Sequence, residues 1–267
     1  MKKIILLIFI SIISDSVLAQ QFPLQSQYQF NYSTINPAAV GENDFYSIRT
    51  SLRQQWVGLT DNAISTGIMS VNKGFDVNGL GITIFNDHSG GSISRSGASL
   101  SYSHRVSFSN SNLYFGVSAG SSKINIQDIN DPALINTSDV IGEAIFGVYF
   151  TKNNWKAGMS VPGLLNSNID ITNSSDNTVK RNLYSMISYK YDIDDQWSLY
   201  PSILMKSSEN INQLDVNLNV KLWNKLWFGT SYRQDFGPTI YVGIDFGRIF
   251  TIYSDDISTN EASSYSN

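Results

Sequence analysis

Two histidines, His88 and His104, are the only imidazoles in 267 residues, and they stand sixteen positions apart. A protein metal site gathers three or four donors at close spacing, and neither histidine has a second candidate ligand nearby. His88 sits in "DHSG", where Asp87 suits an Asx-type turn better than a metal. Asp192, Asp194 and Asp195 in "DIDD" put two carboxylates at ligand-like spacing. The glycine and terminal glutamate of a calcium loop are missing, so a solvated turn is the better reading. No Gly-x-Ser-x-Gly elbow, phosphate loop or dinucleotide fingerprint occurs. A barrel-type protease or lipase, with Asp, His or Ser at its rim, is poorly served by two histidines. The expectation is no catalytic residue, no metal and no cofactor: not an enzyme.

Residues that do no chemistry must be doing something else, and the composition says where. Residues 1–19, "MKKIILLIFISIISDSVLA", read as a secretory leader: two lysines, an apolar run, then Val17 and Ala19 as small residues before the cut. The run is too short for a spanning helix. With no cysteine in the chain, a disulfide framework is excluded. Removing 19 residues from 267 leaves 248, enough for one large β domain. Charged residues make up 15%, against about 25% in ordinary soluble domains. Aromatics reach 12%. The formal charge of −4 becomes −6 once Lys2 and Lys3 are subtracted, with no basic patch for nucleic acid. Few charges, many aromatics and no later helix-length apolar segment point to a barrel in an outer membrane.

The strands that such a barrel needs are visible as a period of two. Tyr46, Ile48, Thr50 and Leu52 alternate with Ser47, Arg49, Ser51 and Arg53. Ala98, Leu100, Tyr102 and Val106 alternate with Gly97, Ser99, Ser101, Ser103 and Arg105, and Phe115 and Val117 with Gly116, Ser118 and Gly120. A soluble sandwich also alternates. It rarely keeps Gly and Ser on nearly every polar position, whereas a lumen holding water, a plug or a threaded segment suits them. Strands are expected near 44–57, 63–73, 78–86, 93–108, 112–123, 141–152, 154–162, 181–191, 196–206, 212–223, 225–234, 238–247 and 248–254, separated by Asn/Asp/Ser/Gly turns. Trp56, Tyr149, Trp155, Tyr191, Trp197, Trp223, Trp227 and Tyr253 lie near strand ends and are read as interfacial girdles. The division is a leader at 1–19, a periplasmic arm at 20–43 and an all-β antiparallel barrel at 44–267.

Several short motifs also resemble a known family. "QQFPLQSQYQFNYSTINPAAVG" followed by "RQQW" is similar to the type IX secretion system membrane proteins PorP/SprF. The family's Asn-Pro-Ala with a following glycine falls on Asn36, Pro37, Ala38 and Gly41; its Arg-x-Gln-Trp falls on Arg53, Gln55 and Trp56. A later glycine and Asp-x-x-Gly element matches Gly81, Asp87 and Gly90, and Asp131–Pro132 and "YPSILMK" (Tyr200 to Lys206) also fit. Family members close on a strand opening with Gly-x-His-Glu. This chain stops at "ISTNEASSYSN", so a barrel of about fourteen strands is expected here with its last strand missing.

The resemblance implies an accessory barrel of type IX secretion and gliding. Such a barrel docks or anchors a secreted adhesin or other cargo, or periplasmic secretion-motor ring proteins, with membrane lipids around it and no nucleic acid. A passive small-molecule channel is the alternative; its mark would be a ring of like charges in the lumen, and only Arg49, Arg53 and scattered carboxylates are found. The residues offered to a partner on the lumen wall are Arg49, Arg53, Ser99, Ser101, Ser103, Gly116 and Ser118. For Arg53 a structural salt bridge is preferred over that role, and for Gly41 a plain turn into the first strand is preferred, while Asn36–Pro37 reads equally as a turn or as packing of the arm against the periplasmic rim or a partner.

Overall fold

The computed structural model describes residues 26–55, 64–89, 93–126, 137–169, 178–208, 211–234 and 236–257. The leader, Trp56, Gly90 and Asp131–Pro132 lie outside these residues. The described chain is almost wholly strand: β1 (Ser47–Gln55), β2 (Ile64–Phe75), β3 (Asn78–His88), β4 (Ile93–Phe108), β5 (Ser111–Ile126), β6 (Thr137–Lys152) and β7 (Trp155–Pro162). Then follow β8 (Leu183–Tyr189), β9 (Tyr191–Asp192), β10 (Trp197–Ser208), β11 (Ile211–Leu222), β12 (Leu226–Arg233), β13 (Gly237–Asp245) and β14 (Phe250–Asp256). They form one fourteen-stranded sheet in chain order, every pairing antiparallel, with the short β9 flanking β10 beside β8. The all-β barrel-like class is as expected.

Connections up to β8 alternate in length. At one end, tight turns carry residues in the left-handed region: Asp76 (φ 53°), Asn153 (φ 50°), and the pair Trp223 (φ 52°) and Asn224 (φ 55°). Two consecutive positive φ values make the turn whose twist matches a right-twisted hairpin. At the other end, Val179, in the connection between β7 and β8, packs on Ile124 and Ile141.

Burial is inverted relative to a soluble protein. Leu52 (80%), Leu100 (65%), Ile48 and Leu80 are exposed, while Ser70, Ser101 (6%), Ser103 (1%), Ser118, Asn217 and Asn219 are buried. In water this arrangement wastes apolar area at roughly 25 cal/mol per Å²; in hydrocarbon it is the favourable one. Trp155, Tyr191, Trp197, Trp223 and Tyr253 are exposed, as girdle residues must be. Tyr149 and Trp227 are not part of it. They fall on the inward parity, Tyr149 packing on Tyr32 and Tyr114, and Trp227 on Phe30, Tyr200 and Phe250.

The sheet curls round residues 26–43. Within this segment, Tyr28–Phe30, Tyr32–Thr34 and Pro37–Gly41 form short 3-10 turns. Ser70 Oγ of β2 donates to Asn31 Oδ1, Asn217 Nδ2 of β11 donates to the Tyr28 hydroxyl, and Ser26 Oγ donates to Asp256 of β14. One short stretch can reach strands so far apart in order only if the sheet wraps it. Edge strands β1 and β14 share no backbone ladder, yet Arg53 Nη2 stands 2.8 Å from Asp256 Oδ2 across the seam.

Candidate functional site

The inner wall of the sheet carries a trough. Register partners across successive strands at one level run Gly74 to Gly79, Gly79 to Ser103, Ser103 to Gly116, Gly116 to Gly147 and Gly147 to Ser160. Six strands thus present only Gly or Ser at this height, and the segment from Ile35 to Asn43 lies along it. Ser160 Oγ donates to Ile35 O at 2.6 Å. Asn36 covers Gly147, Pro37 and Ala38 cover Gly116, and Gly41 covers Gly79, so tightly that a Cβ at any of these three glycines would collide with the segment. Gly74 N–H donates to Asn43 O at 2.7 Å, carrying the contact to β2. Glycine is required on this wall because a backbone passes across it.

Asn36 fixes the segment in the trough. It is fully buried, and its side chain accepts from Ala38 N–H at 3.0 Å, capping the turn that Pro37 begins. Its Nδ2 donates to Val148 O at 3.0 Å and Met159 O at 3.2 Å, on neighbouring strands β6 and β7. Every polar atom of that amide is used, as burial demands. Beyond it, Asn72 Nδ2 donates to Ser33 Oγ at 2.7 Å, and Tyr241 donates to Ser26 O at 2.8 Å. The apolar contribution comes from Tyr28, Tyr32, Ile35, Ala38 and Ala39 against Tyr114, Tyr149, Tyr184, Met186 and Leu204. The largest apolar core of the molecule is the contact between this segment and the wall.

Toward the long-connection end, the inward face carries paired charges. Arg95 meets Glu143 at 2.6 Å, and Arg233 meets Asp215 at 3.0 Å, with Lys206 at 3.8 Å from the same carboxylate. Arg53 meets Asp256. Asp87 accepts from Thr66 Oγ1 and Ser89 Oγ at the β3–β4 turn. Opposite signs sit next to one another; there is no ring of one sign among the described residues. At the short-turn end, Asp194 Oδ1 caps Gln196 and Trp197 N–H, and Asp192 accepts from Ser198 Oγ at 2.6 Å. The Ser198 and Lys190 hydrogen bonds hold the Asp192 carboxyl below the usual carboxylate range. These carboxylates stabilise a turn.

The residues singled out from sequence fall into three groups. Asn36, Pro37 and Gly41 lie on the segment, and Ser103 and Gly116 on the trough beneath it. Ser101 and Ser118, register partners of one another, are buried just beside it. Ser99, Arg49, Arg53 and Gln55 are only half-buried, with Arg53, Gln55 and Ser99 nearer the long-connection end. The close approach expected of a foreign backbone at Gly116 is made by the chain's own Pro37 and Ala38. Sequence reasoning missed Gly147, Gly158, Ser160, Asn72 and Asn217; the signal was Gly147 and Gly158, which flank the β6–β7 turn on the inward parity.

A family model described as type IX secretion system membrane protein PorP/SprF matches residues 17–267. Among curated proteins none matches the chain. The match spans nearly all of a sequence whose strands expose apolar residues and bury polar ones. The chain belongs to the PorP/SprF family of type IX secretion system membrane proteins.

Proposed function

We propose that this protein is an outer-membrane barrel of the type IX secretion and gliding apparatus that docks or anchors a secreted cell-surface protein, such as an adhesin, or the periplasmic secretion machinery. The observation that supports it is the combination of an apolar outer face with an inner wall against which residues 26–43 pack. A lipid-facing wall holds the molecule in the membrane, and an inner wall partly covered by the chain's own segment leaves the rims for contact with other proteins. In barrels of this kind the short turns face the periplasm and the long connections face outward. A secreted partner then meets the long-connection end, where Arg53 and Ser99 stand on the less covered part of the wall. Ser101, Ser103, Gly116 and Ser118 reach a partner only by way of the segment that lies over or beside them.

The test is affinity capture of this chain from detergent-solubilised outer membranes, with mass spectrometry of what is retained. A type IX cargo protein or a component of the periplasmic ring should be held. Recovery of the chain from the soluble periplasm, or capture that retains neither class, would overturn the reading.

A further inference from the structure

We propose that residues 26–43 are an intramolecular stopper: the chain's own segment seals a lumen that is otherwise a water-filled pore. The inference concerns the lumen alone and does not depend on what the barrel docks. Three observations carry it. The trough from Gly74 to Ser160 has no side chain larger than serine, so without the segment this part of the wall encloses empty space. The groups that then face that space include hydroxyls and amides, Ser70, Asn72, Ser103 and Ser160 on one side and Asn217 and Asn219 on the other, beside the apolar patch of Tyr114, Tyr149, Tyr184, Met186 and Leu204. An apolar cavity can stay dry, but one lined by hydroxyls and amides fills with water.

The third observation is how the segment is held. Its contacts are side-chain hydrogen bonds and packing, from Ser26 on Asp256 through Tyr28 on Asn217 to Asn36 on Val148 and Met159, with a backbone bond from Gly74 N–H only at Asn43, its last residue. Residues 26–41 add no strand to the sheet. The segment can therefore leave without breaking a strand pairing. It runs across the strands from β7 at Ser160 to β2 at Gly74. A segment lying across a pore obstructs it.

Currents in planar bilayers test this, using the full-length protein and potassium chloride as the probe. Wild type should be silent; steady open-channel current from wild type overturns the proposal. Gly116→Leu with Gly147→Leu places bulk where the segment lies and leaves the lipid face untouched. This pair should still show heat-modifiable migration, and it should conduct in discrete steps. A folded, silent leucine pair overturns the proposal. Asn36→Ala with Ser160→Ala removes the side-chain hydrogen bonds that tie Ile35 and Asn36 to β6 and β7 without adding bulk, and it decides the question if the leucine pair fails to fold. It should open intermittently, and a folded but silent form is again fatal. In that alanine background, Gly41→Cys with Ser103→Cys creates the chain's only possible disulfide, at a pair of positions in direct contact. Oxidation should silence the current and reduction should restore it. Current that ignores the redox state runs elsewhere than past the segment, and overturns the proposal too.

Discussion

Asn36 does more work per atom than any other residue of the segment, because its amide joins a turn to two strands. Its Oδ1 caps Ala38, and its Nδ2 serves carbonyls on both β6 and β7. Asn36→Ala should lower the unfolding free energy by about 1–3 kcal/mol, the usual cost of removing a buried hydrogen-bonding partner. Asn36→Asp should cost more, since a carboxylate cannot donate to Val148 O or Met159 O and brings a buried charge. Urea titrations in detergent, followed by the gel shift between folded and heated forms, give both numbers. Equal midpoints for wild type and Asn36→Ala would show that the amide bears no load. At the same scale, Asp215 is 1% exposed and faces both Arg233 and Lys206. Asp215→Leu removes the buried carboxylate that both cations face and should cost about 3–5 kcal/mol, the range for breaking one partner out of a buried ion pair.

Strands are where the sequence was most legible. Outward residues repeat at every second position because each must meet hydrocarbon, so the pattern extends along a whole element and survives local exceptions. β4 at 93–108 shows it over sixteen residues. Faces were harder to assign for aromatics near strand ends, since Tyr and Trp suit both a girdle and a polar interior. Tyr149 and Trp227 went to the wrong face for that reason, and only their register parity corrects them. Least legible was the position of residues 26–43. Their partners lie more than a hundred positions away, at Val148, Met159 and Asn217, and no local pattern encodes contacts of that separation. Of the six trough positions, Ser103 and Gly116 were visible in advance; Gly147 and Ser160 were hidden among strands read only for their outward residues. The face assignment makes its own prediction. Leu100→Arg should disfavour insertion by about 2–4 kcal/mol, as cationic residues on the lipid face do near the midplane. Ser101→Ala, one position along, should change stability by less than about 1 kcal/mol. Similar recovery of both variants in the outer membrane would mean that the two faces are not what the burial pattern says.

At the scale of the whole molecule, the arrangement of strands leaves one question for side chains to answer. The path from β1 to β14 runs through thirteen strands, each antiparallel to the last, so its two ends point the same way. Two such edges cannot form the antiparallel pairing that every other neighbour uses. What crosses between them among the described residues is a node at Asp256. Its carboxylate accepts from Arg53 of β1 at 2.8 Å, from Thr239 of β13 and from Ser26 of the inner segment at 2.7 Å. Gln27 adds a bond to Ser254 two residues before it. First strand, last strand and segment therefore meet at one residue, and they should lose stability together. Side chains at this node are partly exposed, 13% for Arg53 and 38% for Asp256, so solvent weakens the ion pair relative to a dry one. Geometry compensates in part, because Arg53 offers both Nε and Nη2 to the same oxygen. A double-mutant cycle of Arg53→Ala and Asp256→Ala isolates the pair from the rest of the node. The coupling should fall at about 1 kcal/mol, above the usual value for an exposed pair and below that for a buried one. Asp256→Ala alone should exceed Arg53→Ala alone, since it also strips Ser26 and Thr239 of their acceptor. If the two single variants are equally costly, the segment and β13 draw nothing from Asp256, and the seam is held by the ion pair alone.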